Sequence, residues 1–264
     1  MDLQLGGKKA LVTGSTAGIG FAIALELCRE GAVVTLTGRT EERINEAIEH
    51  IKSQVPNAHI NGYAVDFGKK DEVEGLIRAL PLLDILINNV GIFEPKAFEE
   101  ILDEDWYRFF EINVMSGIRL SRHYFPKMMQ QDQGRILFIS SESGIQIPDE
   151  MIHYGMTKSA QLSVSRGLAE LTKGSNVTVN CVLPGPTKSE GVTAFVEKIA
   201  QRENKSTEDI EKDFFKEERP TSLLQRFISV EEVAAMAVYL CSPRASATNG
   251  AAVRVDGGVV KSMT

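Results

Sequence analysis

The sequence predicts a single α/β domain built on a parallel sheet of seven strands, and three observations predict it. Short apolar runs alternate with longer segments of helical periodicity along nearly the whole chain, the signature of repeated βα units. Several runs are apolar at consecutive positions, Ile85, Leu86 and Ile87 among them, as strands covered by helices on both faces require. The 264 residues are 43% hydrophobic and 25% charged, enough for one sizeable core and unlike a disordered, collagen-like or disulfide-stapled chain.

In chain order, Ala10–Thr13 is the first strand, and Ile19–Glu30, with Ile23, Leu25, Leu27 and Cys28 apolar, is the helix after it. Ala32–Thr37 is the second strand. Glu41–Gln54 follows as a helix with Ile44, Ala47, Ile48 and Ile51 at three- and four-residue spacing, and Thr40 is suited to cap it. Ile60–Val65 and Asp84–Asn88 are the third and fourth strands; Pro56 and Pro81 fall at element ends, where a missing N–H does least harm. An aromatic-rich helix covers Trp106–Phe125. Arg135–Ser141 and Asn176–Val182 are the fifth and sixth strands, with a helix running on from Tyr154 between them and Pro184 after them. Ser229 caps a helix starting at Val230, and Ala251–Val255 is the last strand. One segment breaks the rhythm, because Glu197–Arg219 holds 14 charged residues among 23. Such a run reads as a solvated face, yet Val192, Phe195, Val196, Ile199, Ile210 and Phe214 keep helical spacing. Two short helices laid over something apolar are expected, and a lid at about residues 189–225 is the sharper reading.

The net charge of −7 is opposite to the basic footprint of a nucleic-acid-binding protein. Cys28, Cys181 and Cys241 are scattered and odd in number, as expected of reduced thiols acting as small buried hydrophobes in the cytoplasm. No leader-like or membrane-spanning apolar stretch occurs, so a soluble cytoplasmic protein is expected. His50, His59, His123 and His153 have no ligand-like spacing, so no metal site is expected.

Chemistry is concentrated at the strand ends. The first strand runs into Thr13-Gly14-Ser15-Thr16-Ala17-Gly18-Ile19-Gly20 and then a helix, the context in which glycines serve phosphate binding. Gly14 permits the tight turn, Gly18 lets a pyrophosphate approach the backbone, and Gly20 lets helix and strand pack closely. Tyr154 and Lys158 lie four residues apart and share a helix face. An ammonium beside a phenol favours phenolate and would lower the Tyr154 pKa toward the range useful to a general acid/base.

These features together resemble the short-chain dehydrogenase/reductase family in its single-domain form, similar to the 3-oxoacyl-acyl-carrier-protein reductases. The resemblance rests on the GxxxGxG turn, Asn88-Asn89-Val90-Gly91 after the fourth strand, Asn113, Ser141 at the end of the fifth strand, Tyr154-Gly155-Met156-Thr157-Lys158, Pro184-Gly185, and Val255-Asp256-Gly257-Gly258. Val90 stands where the family usually has alanine, which crowds the adenosine side slightly. The resemblance implies a doubly wound, Rossmann-type sheet and an enzyme that transfers hydride between a nicotinamide cofactor and a carbonyl or secondary alcohol. It implies that Tyr154 is the general acid/base, Ser141 holds the reacting oxygen, Lys158 binds the nicotinamide ribose and tunes Tyr154, and Asn113 holds a proton-relay water. Ser141 rather than the adjacent Ser140 has the family's thirteen-residue distance from Tyr154. The implied cofactor contacts are Gly14, Ser15, Thr16, Gly18, Ile19, Gly20, Arg39, Asp66, Asn88, Gly91, Pro184, Gly185, Thr187 and Ser189, besides Tyr154 and Lys158. For Asp66 the reading as a strand-end turn former stays open.

Cofactor choice rests on Gly38, twenty residues beyond Gly18, where an NAD-selective fold places a carboxylate for the adenosine ribose. Its absence, with Arg39 next in sequence, favours NADP(H) and leaves NAD(H) possible. Ala17 withholds the second basic residue common in such relatives. Ile92, Phe93, Glu142, Ile145, Ile147, Met151, Ile152 and Phe195 are the expected substrate wall, mostly apolar with one carboxylate. That wall suits a neutral ketone or a 3-oxoacyl group. A rival reading is an idle cofactor-binding or sensing protein of the same fold, against which the complete set Asn113, Ser141, Tyr154 and Lys158 argues. By resemblance the chain forms a homotetramer or homodimer through the helix Trp106–Phe125 and the helix after Tyr154, although Trp106, Phe109 and Phe110 could equally face the core.

Overall fold

The computed structural model describes residues 1–263, apart from the side chain of Phe195, so the expected place of that side chain in the pocket lies outside the described residues. Seven strands form one parallel sheet: β1 (Lys9–Val12), β2 (Val33–Gly38), β3 (His59–Ala64), β4 (Ile85–Asn88), β5 (Gly134–Ile139), β6 (Val177–Pro184) and β7 (Ala252–Val255). Their spatial order is β3-β2-β1-β4-β5-β6-β7. The chain therefore winds outward one way from β1 and then the other way from β4, and the crevice at this reversal is where such folds bind ligands.

Strand alternation divides the core between two layers. Ala10, Val12, Ile85, Ile87, Leu137 and Ile139 face a cluster formed with α1 (Gly18–Arg29), α2 (Glu41–Gln54) and α9 (Val230–Cys241). The interleaved Leu11, Leu86, Ile136 and Phe138 face α3 (Lys70–Ala79), α5 (Ser116–Gln130) and α6 (Ile152–Glu170) on the other side. Consecutive apolar residues in these strands are thus all buried, half on each face. All three cysteines belong to this interior, and burial pushes each thiol up to about 12.

The caps form as expected: Thr40 Oγ1 accepts from Arg43 N at 3.4 Å, and Ser229 and Glu232 make a reciprocal capping box. The helix expected over Trp106–Phe125 is in fact three pieces. α4 (Asp103–Phe110) runs into a π turn, Glu111–Met115, and then into α5, which accommodates Pro126. A π turn widens the helix by one residue per turn, and here it contains Asn113. α7 (Glu190–Glu203) and α8 (Thr207–Glu217) are the two helices expected of the charged segment. Val196, Ala200, Ile210, Phe215 and Phe227 give them a small core of their own. Among the described residues no helix is long and apolar enough to cross a membrane.

Candidate functional site

The β1–α1 turn is shaped by what its glycines exclude. Gly14 and Gly18 adopt φ of 61° and 58°, where a side chain would be strained. A Cβ on Gly20 would lie 2.4 Å from Gly14 O and 2.5 Å from Asn89 Nδ2, so only glycine lets α1 approach the turn. Ser15 faces inward: its N–H donates to Thr37 O at 2.9 Å and its hydroxyl to Val12 O at 2.7 Å. It braces the turn from beneath. Ala17 precedes α1 and offers no side-chain cap, and the first helical bond is Phe21 N to Ala17 O at 3.2 Å. The N–H groups of Gly18, Ile19 and Gly20 therefore precede the helical ladder and sit at its positive end, a cradle for a phosphate. Thr16 lines the same turn against Gly38.

The neighbouring strand ends complete the crevice wall. Asn89 donates through Nδ2 to Thr13 O at 2.9 Å and to Gly14 O at 3.0 Å, clamping the end of β4 to the turn. Val90 covers Gly14 closely enough that a Cβ there would meet its Cγ2 at 3.0 Å. The Asn88 amide donates to Ser121 Oγ at 3.2 Å while its buried Oδ1 has no partner among the described residues. Arg39 is exposed at the end of β2. Asp66 does form a turn, accepting from Gly68 N at 2.9 Å through Oδ1 only.

Four side chains meet beyond the ends of β4 and β5. Ser141, at the first residue after β5 and Ser140, is buried, and α6 carries Tyr154 and Lys158 past it. Ser140 points away, its hydroxyl donating to Lys158 O at 2.9 Å, which leaves Ser141 as the hydroxyl beside Tyr154. Lys158 Nζ is 5.6 Å from the Tyr154 ring centre and donates to Ile139 O at 2.9 Å and Gln161 Oε1 at 3.4 Å. It is buried with no carboxylate in contact, and desolvation depresses it to about 8. Tyr154 departs from expectation: burial and the Glu142 charge raise its pKa, while Ser141 and Arg219 pull less strongly the other way. In this arrangement the loss of water outweighs any help from Lys158, so the phenol is held protonated.

Asn113 is fully engaged. Its Oδ1 accepts from Ile92 N at 2.8 Å, and its Nδ2 donates to Ile92 O and Thr157 Oγ1, each at 3.0 Å. Its main-chain carbonyl accepts from Gln161 Nε2 at 2.6 Å. Gln161 thus bridges Lys158 to Asn113, a link that sequence reasoning missed, although its place one turn beyond Lys158 put it on the same face. Gly91 sits against both, since a Cβ there would lie 3.4 Å from Lys158 Nζ and 3.6 Å from Asn113 Oδ1.

On the far side, β6 ends at Pro184, and Gly185 is pinned to the β7 end, where a Cβ would meet Asp256 O at 2.7 Å. Thr187 is buried with its hydroxyl on Gly185 O at 2.8 Å. Ser189 caps α7 and faces Gly18 across the crevice, 3.5 Å from where a Cβ on Gly18 would be. The segment after α8 returns Arg219 to the pocket: its Nε lies 3.4 Å from Glu142 Oε1 and its Nη2 3.1 Å from Glu150 Oε1. Both Arg219 and Glu142 are buried. A separate cavity of about 210 Å³ between α7 and α8, lined by Lys188, Val192 and Phe227 among others, contains none of the four clustered side chains.

The short chain dehydrogenase family matches residues 8–200. The chain is similar to the uncharacterized oxidoreductase YvaG of Bacillus subtilis (strain 168), 49% identical over 263 residues and covering all of both chains. It is also similar to the 3-oxoacyl-[acyl-carrier-protein] reductase FabG of Aquifex aeolicus, 32% identical over 98% of this chain and 100% of the relative. Among solved structures, L-sorbose reductase from Gluconobacter frateurii, complexed with NADPH and L-sorbose, superposes with a TM-score of 0.91 at 31% identity over the whole of both chains. With its seven-stranded doubly wound sheet and its relatives named as oxidoreductases and reductases, the chain belongs to the short-chain dehydrogenase/reductase family and is an NAD(P)-dependent oxidoreductase.

Proposed function

We propose that this oxidoreductase reduces a carbonyl to a secondary alcohol, and runs the reverse reaction, with NADP(H) as its preferred cofactor. The observation that carries the reading is the meeting of Ser141, Tyr154 and Lys158 beside Asn113 at the crevice where the sheet order reverses. Bound there, the nicotinamide would supply or accept the hydride. The turn at Gly14, Thr16 and Gly18 with the N–H groups of Ile19 and Gly20 would hold its pyrophosphate, and Ser15 would act by fixing that turn. Asp66, Asn88 and Gly91 would border the adenosine and ribose, and Pro184, Gly185, Thr187 and Ser189 the nicotinamide amide. Tyr154, kept protonated, donates its proton to the carbonyl oxygen as that oxygen gains charge, while Ser141 orients the same oxygen. Lys158 holds positive charge beside the ring and would bind the ribose hydroxyls. An idle cofactor-binding protein of the same fold would need Lys158 for the ribose but neither the desolvated phenol of Tyr154 nor the buried Ser141 beside it. The segment with α7 and α8 closes the pocket as a lid, anchored by Arg219.

A pH profile tests this arrangement. Lys158 at about 8 is an ammonium below that pH and a neutral amine above it. Reductive kcat/KM is therefore expected to be level below pH 8 and to fall above it, since the raised Tyr154 stays protonated over the same range. In Lys158→Arg, which stays charged, the falling limb should move up by about two pH units or more. A limb that stays in place would assign the titration to another group.

Cofactor preference follows from the missing acid at Gly38 and from Arg39. A charge-assisted contact of about 1.5–3 kcal/mol implies roughly a 10- to 100-fold preference for NADPH over NADH. Arg39→Ala should erase it when kcat/KM is measured for both cofactors on one substrate. Gly38→Asp should reverse it, but a Cβ at 38 would lie 2.6 Å from Thr16 Cγ2, so Gly38→Ala must be measured beside it to separate crowding from charge. A wild-type ratio favouring NADH would remove the basis of this assignment.

Self-association is proposed through α4, α5 and α6. Phe109 is core, whereas Tyr107 and Phe110 are exposed on α4. Sedimentation is expected to give a dimer or tetramer of the 29.0 kDa chain, and a monomer at micromolar protein would rule it out.

A further inference from the structure

Glu142 puts a buried carboxylate beside Ser141, and its hydrogen bonds bear on the substrate. Its Oε2 accepts from Ser141 Oγ at 2.5 Å. Its Oε1 is reached by Arg219 only at 3.4 Å, and that guanidinium is shared with Glu150 at 3.1 Å. The carboxylate is 5% exposed, so water cannot readily replace a lost donor. A serine hydroxyl has a single proton. When Ser141 turns that proton toward a substrate carbonyl, as the reading above requires, Glu142 Oε2 loses its donor inside the pocket.

A substrate restores the balance if it brings a hydroxyl on the carbon next to the carbonyl. The carbonyl oxygen then takes the Ser141 proton, and the neighbouring hydroxyl donates to Glu142 Oε2. Plain ketones and 3-oxoacyl chains have no donor at that place. Anionic substrates would meet the Glu142 carboxylate, whose one guanidinium neighbour, Arg219, is shared with Glu150. We propose that Glu142 is a specificity-determining hydrogen-bond acceptor that selects neutral α-hydroxy ketones, and vicinal diols in the reverse direction. In the reduction NADPH gives a hydride, two electrons and one hydrogen, to the carbonyl carbon, and Tyr154 gives the oxygen a proton that solvent later replaces. The product is a vicinal diol, NADP⁺ is formed, and the substrate hydroxyl is unchanged.

This inference rests on the carbonyl-reductase reading, and the test separates the two. NADPH oxidation is measured with 3-hydroxybutan-2-one, butan-2-one and 3-methoxybutan-2-one, the last keeping the oxygen but lacking the donor. The wild type is expected to favour the hydroxy ketone over both others by roughly 100-fold or more in kcat/KM, because a site built to bond a hydroxyl rejects analogues without it. In Glu142→Ala that ratio should fall at least tenfold. Should the alanine variant fail to fold, the methoxy comparison on the wild-type enzyme decides alone. Equal efficiency for the hydroxy and methoxy ketones, or a preference unchanged in Glu142→Ala, overturns the role of Glu142 while leaving the reductase reading intact. Oxidation of NADPH with none of the three ketones overturns both.

Discussion

Tyr154→Phe is expected to lower turnover of any carbonyl substrate by roughly 10²–10⁴-fold, the range assigned to a positioned general acid. The substitution removes one oxygen and keeps the ring, including its edge contact with Phe93 at 6.4 Å and the Lys158 ammonium at 5.6 Å. Folding and NADPH affinity should therefore change little. A phenol held protonated by burial and by Glu142 is ready to donate at neutral pH, and because a variant cannot change the overall equilibrium, the loss in kcat/KM should be as large in oxidation as in reduction. Steady-state kinetics with a fluorescence titration of NADPH reads both quantities. Turnover within a few-fold of wild type in the Phe variant would remove Tyr154 from the chemistry.

Gly20→Ala should weaken both the fold and cofactor binding, by a different route. The added methyl would come within 2.4 Å of Gly14 O and 2.5 Å of Asn89 Nδ2. Neither neighbour can yield cheaply, because one is backbone in the tight turn and the other clamps β4 to that turn. Overpacking of this kind costs about 1–3 kcal/mol, which corresponds to a fall in Tm of roughly 2–4 °C per kcal/mol for a chain of this size. Since relief of the clash displaces the turn that carries the N–H groups of Gly18, Ile19 and Gly20, the Kd for NADPH should rise at least tenfold. Calorimetric melting and titration check the two effects separately. A stability loss with unchanged Kd would mean that these N–H groups do not hold the cofactor.

The elements that build the sheet were legible because each carries its own local signal. Ile85, Leu86 and Ile87 announce a strand buried on both faces, and the two core layers take them alternately. Thr40 and Ser229 mark helix starts through their own side chains. The preference for Ser141 over Ser140 rests on a spacing, and in the structure the Ser140 hydroxyl is engaged by Lys158 O. What stayed hidden depends on contacts distant in sequence. Arg219 meets Glu142 across 77 positions, and Gln161 reaches Asn113 across 48. No periodicity reports such pairings. The π turn around Asn113, where the side-chain amide closes on Ile92, was invisible for another reason: five residues are too few for their spacing to tell a π turn from an α turn. The expected downward shift of Tyr154 failed on burial, which spacing along one helix does not encode.

The absorbance of NADPH at saturating cofactor, followed on mixing the wild-type enzyme with 3-hydroxybutan-2-one while the alcohol product is analysed in parallel, tests the carbonyl-reductase assignment. Under that assignment NADPH loss equals the diol formed, is faster than NADH loss, and falls to roughly 1% or less in Tyr154→Phe. NADPH that binds the enzyme but is not consumed with any ketone offered, including those without a hydroxyl, would contradict it.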